Sequence, residues 1–243
     1  VETLICSKGN HLIPFFFYME FENKILASLY DLISLNKQDL FDEIAAQRTN
    51  HITVVLEDIN KEHNASAVLR TCDCFGIQQM EVIEKNQDFT VHRDIAMGAT
   101  KWVDITSYSD GENPNIQCIN DLKSKGYKIV ATTPHTDITI AELDINQPIA
   151  LVFGTERDGI SKEIIEHADE FVKIPMYGFI ESFNISVSAA IILSALRTKL
   201  EESSLDWKLT DEQQTQLKIK WCTKIIRNGE KVEGEIRNRI KKE

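Results

Sequence analysis

The chain has 243 residues, 42% hydrophobic and 27% charged, the make-up of a globular fold long enough to bury a substantial core. Its net charge of −11 speaks against indiscriminate nucleic-acid binding, and no apolar run approaches the roughly 20 residues that span a bilayer. Five cysteines without Cys-x-x-Cys spacing and six histidines without a His-x-x-x-His pair argue against a disulfide framework and against a metal site, and fit a reducing cytoplasm.

Near the start, Leu12–Tyr18 is apolar but short and has no small-residue cleavage site after it, so no signal peptide is expected. The chain begins with Val, and Met19 opens a well-formed amphipathic segment; residues 1–18 are therefore expected to be poorly ordered or not native. Phe21–Leu35 places Ile25, Leu29, Leu32 and Ile33 at helical spacing, and Asp39–Arg48 continues as helix. His51–Leu56 is a β-branched strand, the start of a sheet.

Glu57–Gly76 follows. Asn64 suits a helix N-cap, Val68, Cys72 and Phe75 form an apolar face, and Gly76 falls where a glycine ends the helix. Arg70 lies about 200° from Val68 on the helical wheel, so read locally it is a solvated arginine. Cys72 and Cys74 read as small buried hydrophobes. Strands are expected at Gln79–Ile83, Trp102–Ile105 and Tyr127–Thr132, with a helix over Ile116–Gly126.

Two further apolar runs, Ile149–Phe153 and Phe171–Met176, bracket a helix-like Ser161–Ala168, a β-α-β unit of parallel strands. Each empties into a polar loop, 154–159 (GTERDG) and 177–184 (YGFIESFN), at the strand ends where parallel sheets bind ligands. Ile185–Leu196 is apolar almost all round, as expected of a helix buried in a core or against a second subunit. Glu201–Thr210 reads as a polar connector, and Asp211–Arg227 and Glu230–Lys242 as charged helices. From Lys218 onward nine Lys/Arg face four Asp/Glu, a net of +5 that leaves −16 for the rest. Lys218, Lys220, Lys224, Arg227, Arg237, Arg239, Lys241 and Lys242 fit a solvated helix or one that follows a phosphate backbone. The alternation of strands and helices from 51 to 200 predicts an α/β fold, a mostly parallel sheet with helices on both faces, with helical extensions at 1–50 and 201–243.

No G-x-G-x-x-G follows a strand, and neither a phosphate-binding G-x-x-x-x-G-K-[ST] loop nor a G-x-S-x-G elbow is present. What remains is a set of polar residues at strand ends: Asn64, Arg70, Glu156, Ser182 and Asn184. Separately each has a plain structural explanation; together they look like a site.

Asn64–Arg70 (NASAVLR), Phe153–Gly159 (FGTERDG), and Ile174–Gly178 (IPMYG) with Ser182–Ser186 (SFNIS) resemble the three motifs of the SpoU (TrmH-type) RNA ribose 2′-O-methyltransferases of the SPOUT superfamily. The match runs over roughly residues 51–197 in the right order. The resemblance implies a C-terminal trefoil knot, which ordinary folds avoid and periodicity could not show. It implies S-adenosyl-L-methionine held by Thr132, Gly154, Ile174 and Phe183, and a homodimer whose interface carries the active site. Phe183 departs from the leucine of many relatives and is expected to line the adenine pocket. Arg70 becomes the catalytic arginine, with Asn64, Glu156, Ser182 and Asn184 organising the site. The layout, terminal helices without a separate RNA-binding domain, resembles the tRNA-directed branch of the family that methylates guanosine 18. An rRNA substrate and a non-catalytic RNA-binding member are the alternatives.

Overall fold

The computed structural model describes residues 15–59, 61–86, 89–155 and 157–242. In chain order these form helices α1 (Phe15–Tyr30) and α2 (Leu35–Ala45), strand β1 (Ile52–Glu57), α3 (Glu62–Cys74), β2 (Gln79–Ile83), the one-turn α4 (Arg93–Ala96), β3 (Asp104–Tyr108), α5 (Pro114–Ser124), β4 (Lys128–Thr132), β5 (Ile149–Phe153), α6 (Lys162–His167) and β6 (Glu170–Val172). Three longer helices close the chain, α7 (Ile185–Glu202), α8 (Asp211–Ile225) and α9 (Gly229–Ile240). The chain divides into two compact units, one of residues 49–208 and one that joins the residues before 49 to those after 208. Among the described residues no helix is long and apolar enough to cross a membrane.

In the larger unit the six strands pair in the order β3-β2-β1-β5-β4-β6, every pair parallel. Such a sheet must be covered on both faces, and its central strands are accordingly apolar throughout. Along β1, Ile52, Val54 and Leu56 join the core shared with α3 and α7, whereas Val55 joins the core of α5 and α6 on the other side. β3 at one edge is the most polar strand, which keeps an open edge from pairing with another chain.

Several boundaries differ from the sequence-based expectation. Residues 15–18, expected among the poorly ordered ones, begin α1, and residues 1–14 lie outside the described residues. Asn64 is not the cap of α3: the helix starts at Glu62 with Lys61 in the cap position. β6 stops at Val172 rather than Met176, because the Lys173 N–H turns to the Ile138 carbonyl (2.9 Å) and Pro175 follows. Cys74 is exposed, though Cys72 is buried. The connector after α7 is not simply polar, since Trp207 is buried with the Arg197 guanidinium 4.4 Å from its ring centre. α7 buries Ile185, Ala189, Ile192, Leu193, Leu196 and Leu200, but Val187 on its other side is exposed, so the helix is covered on one face only within this chain.

The smaller unit packs α1, α2, α8 and α9 together, with α8 central. Trp221 of α8 is fully buried against Phe41, with ring centres 5.3 Å apart. The basic C-terminal stretch is thus partly structural. Arg237 makes a two-pronged ion pair with the buried Glu22 (2.7 and 2.9 Å) and a further bond to Glu233 (2.7 Å), and Lys218 pairs with Asp42 (2.7 Å). Removing one partner of a buried pair strands the other charge. Arg237→Ala should cost about 3 kcal/mol in urea denaturation, and Glu22→Gln distinctly less; equal and small losses would show that the pair is not sealed from solvent.

Candidate active site

All six strands end on the same side, and the chain reverses direction across the sheet between β1, which leads on to β2 and β3, and its neighbour β5. Crevices at such a point are where open α/β sheets bind ligands. Here a cavity of about 940 Å³ opens, lined by the segments that leave β4, β5 and β6 and by Lys61 and Asn64 at the start of α3. Its volume is near the upper end of small-molecule sites, ~300–1,000 Å³.

Three local devices shape it. The 154–159 loop closes as a tight hairpin, with Thr155 N–H donating to the Gly159 carbonyl (2.9 Å) and Gly159 N–H to the Thr155 carbonyl (3.1 Å). A side chain at Gly154 would overlap the Gly159 carbonyl, so only glycine lets the hairpin fold back on the strand end. The last loop is fixed at Asn184, whose Oδ1 caps α7 by accepting from the Ser186 N–H (2.9 Å) and hydroxyl (2.6 Å), while its Nδ2 donates to Asn64 Oδ1 (3.1 Å). That bond joins the first and third motifs across 120 residues. Thr132, at the end of β4 in the cavity wall, donates its hydroxyl to the Val152 carbonyl (2.9 Å).

Behind the hairpin lies Glu57, the last residue of β1 and buried. Its Oε2 accepts from Ser161 N–H (3.0 Å) and its Oε1 from Asn115 Nδ2 (3.0 Å). Burial pushes its carboxyl pKa up, opposed by these bonds.

Of the expected residues, the cavity brings together Asn64, Thr132, Gly154, Ile174, Ser182, Phe183 and Asn184. Arg70 is not among its lining: it is exposed on α3, six residues and about 9 Å of helix rise beyond Asn64. Glu156 lies outside the described residues. Lys61, His135, Lys173 and Ser188 also line the cavity. They belong to no motif, and the signal that could have found them is their place just beyond strand ends or on the first turns of helices that face them.

The profile of the SpoU rRNA Methylase family matches residues 51–194. A Borreliella burgdorferi protein named tRNA (guanosine(18)-2′-O)-methyltransferase is 37% identical over 214 residues, spanning 88% of this chain and 96% of that protein. A Thermus thermophilus protein of the same name is 34% identical over 167 residues, 68% of this chain and 84% of its own. A solved structure described as the A. aeolicus TrmH/SpoU tRNA modifying enzyme superposes with a TM-score of 0.71 at 30% identity, covering 79% of this chain and 98% of that one.

Gly154→Ala should open the hairpin at a cost of about 1–3 kcal/mol. Hydrogen exchange is the readout: the amides of Thr155 and Gly159 should exchange faster, with those of β1 and β2 unchanged. Native protection of Thr155 and Gly159 in the variant would mean that the close approach does not hold the loop.

Proposed function

We propose, given that the chain belongs to the SpoU methylase family, that it transfers the methyl group of S-adenosyl-L-methionine to the ribose 2′-hydroxyl of guanosine 18 in tRNA. The observation that carries this reading is the convergence of all three motifs, through Asn64, Gly154 and Ser182–Asn184, on one cavity at the strand ends. The tRNA substrate follows from relatives of that name, one of which aligns with nearly its entire length.

The cavity suits the cofactor in chemistry as well as size. Ile174, Met176 and Phe183 offer apolar surface for a purine, and the backbone around Gly154 and Thr133 offers polar groups at the strand ends. When bound, S-adenosyl-L-methionine supplies an electrophilic sulfonium methyl. The ribose hydroxyl attacks in line, an O–C bond forms as the C–S bond breaks, and S-adenosylhomocysteine leaves. A hydroxyl is a poor nucleophile, so the protein must align it and offset charge on its oxygen. Arg70 remains a cation at any physiological pH. In this reading it grips an RNA phosphate and steadies the incipient alkoxide, with that phosphate taking the proton. Asn64 and Asn184, held by their mutual bond, orient the ribose side of the site; Ser182 and Glu156 complete it.

Arg70 lies outside the cavity of its own chain, which supports a site completed where two protomers meet. Exposed Tyr177, Phe179 and Ile180 beside the cavity and Val187 on α7 form the apolar surface such a homodimer would bury. The knot belongs to the same reading. Its support is the course of residues 173–184, which leave the edge strand β6 and return to Asn64 beyond β1. The transferase domain is taken as residues 51–200, flanked by the helical extensions 1–50 and 201–243.

For tRNA, the exposed cations Arg227, Arg239, Lys241 and Lys242 of the smaller unit are the candidate phosphate-binding groups. Deleting the C-terminal helices would remove the centre of that unit, so substitutions are the cleaner test. Replacing all four by alanine should weaken tRNA binding and flatten its salt dependence by about 0.9 in the log–log slope for each phosphate no longer neutralised. An unchanged slope would make these residues bystanders.

The direct assay is transfer from labelled S-adenosyl-L-methionine to unmodified tRNA and rRNA transcripts, with the modified nucleotide mapped. Label on the ribose of guanosine 18, with activity reduced at least ~1,000-fold in Arg70→Ala while cofactor still binds, is the expected result, on the order of other losses of transition-state charge stabilisation. Label on rRNA alone would replace the substrate, and loss of cofactor binding in the variant would make Arg70 structural.

A further inference from the structure

We propose that Glu57, which belongs to none of the three motifs, is a positioning residue: by accepting from Ser161 and Asn115 together, it holds residues 158–160, just before Ser161, in the place where they receive the cofactor. The inference rests on reading the cavity as the S-adenosyl-L-methionine site.

Glu57 ends β1, and four residues later Lys61 takes the position before the first turn of α3, where the first motif begins. Its Oε2 accepts the Ser161 N–H across 104 residues (3.0 Å), at the point where the 154–160 loop gives way to α6. Its Oε1 accepts from Asn115 Nδ2 (3.0 Å) in the first turn of α5. The same Asn115 nitrogen donates to Ser161 Oγ (3.0 Å), closing a triangle of three residues in which Ser161 takes part through both its backbone N–H and its hydroxyl. Asn115 and Glu57 are both buried, and the Ser161 hydroxyl in turn caps α6 by accepting from Ile164 N–H (3.4 Å).

A buried acidic side chain with no cation among its hydrogen-bond partners in the described residues is an expensive choice for mere stability. The geometry explains it. With the Asn115 amide turned as it is, Nδ2 toward Glu57 and its own Oδ1 buried without a hydrogen-bond partner among the described residues, both carboxylate oxygens face a donor, and a glutamine keeps both contacts only if the Asn115 amide rotates with it and gives up its bond to Ser161 Oγ. The hairpin is fixed at its start by the close approach of Gly154 to Gly159 and just past its end by Ser161. Releasing Ser161 frees the end that bears Asp158, Gly159 and Ile160, all in the cavity wall, without touching Asn64, Asn184 or Arg70.

The test uses the full-length protein and an unmodified tRNA transcript, with the Kd of S-adenosylhomocysteine from calorimetry and KM for each substrate. Glu57→Gln should raise the Kd and the KM for S-adenosyl-L-methionine by about tenfold, while the KM for tRNA stays within about twofold and the rate recovers at saturating cofactor. Ser161→Pro suits the observed φ of −65° and removes the N–H that Glu57 accepts together with the hydroxyl that caps α6, so Ser161→Ala, which loses only the hydroxyl, is its control: the proline variant should give the same split and the alanine variant should leave the Kd within about twofold. A purely structural role would lower the melting temperature and the active fraction without moving the Kd, and that result overturns the proposal. If Glu57→Gln does not fold, unaltered cofactor affinity in folded Ser161→Pro overturns it equally. Should the unsubstituted protein bind no S-adenosylhomocysteine, the reading of the cavity fails first and this inference with it; binding that is normal and indifferent to both substitutions refutes this inference alone.

Discussion

Every strand of the sheet runs in the same direction, and the site depends on that constraint. In a parallel sheet each connection must leave from the carboxyl end of one strand and cross back to the amino end of the next, so segments far apart in sequence are delivered to the same rim. Here the rim collects the turn after β1, the Thr132–His135 stretch after β4, the hairpin after β5 and the long loop after β6. No pair of these segments is local, yet the strand register brings Leu56 beside Phe153 and Ala131 beside Val152, which fixes the spacing of the loops that follow.

Given the rim, short polar contacts do the fine placement. Asn184 divides its amide between capping α7 and gripping Asn64, so the start of a long helix and the third motif are set by one side chain. Glu57 does the corresponding work below the hairpin. Both are cases in which a polar group at an element's end has a partner more than a hundred residues away. The hydrophobic layers of α3 and α7 on one face, and of α5 and α6 on the other, give the rigidity against which bonds of about 1 kcal/mol can specify position.

Charge is used in two ways. Arg237 and Lys218 hold the terminal helices together through Glu22, Glu233 and Asp42, so part of the basic C-terminal stretch serves the fold. Arg227, Arg239, Lys241 and Lys242 remain exposed on the same unit. An acidic chain can therefore present cations locally while its overall charge disfavours unselective binding of polyanions.

The sequence by itself determined the elements whose signal is local. The β-branched run 52–56, the apolar run 149–153 and the alternation of strand with helix pointed to the parallel α/β architecture, because burying such runs on both faces has few solutions. Gly76 was legible as a helix end, since its φ of +71° is a conformation that glycine adopts freely. The spaced motifs named the cavity residues Asn64, Gly154, Ser182 and Asn184. Only the tertiary structure decided which polar side chain meets which. Asn64 looked like a cap and is a partner of Asn184; Glu57, which no sequence pattern marked, is buried between Ser161 and Asn115. Arg237 fitted a solvated helix or a phosphate contact equally and is paired with Glu22. Periodicity reports the face an element turns to the core, but a hydrogen bond between residues 57 and 161 exists only once the sheet has brought the ends of β1 and β5 side by side.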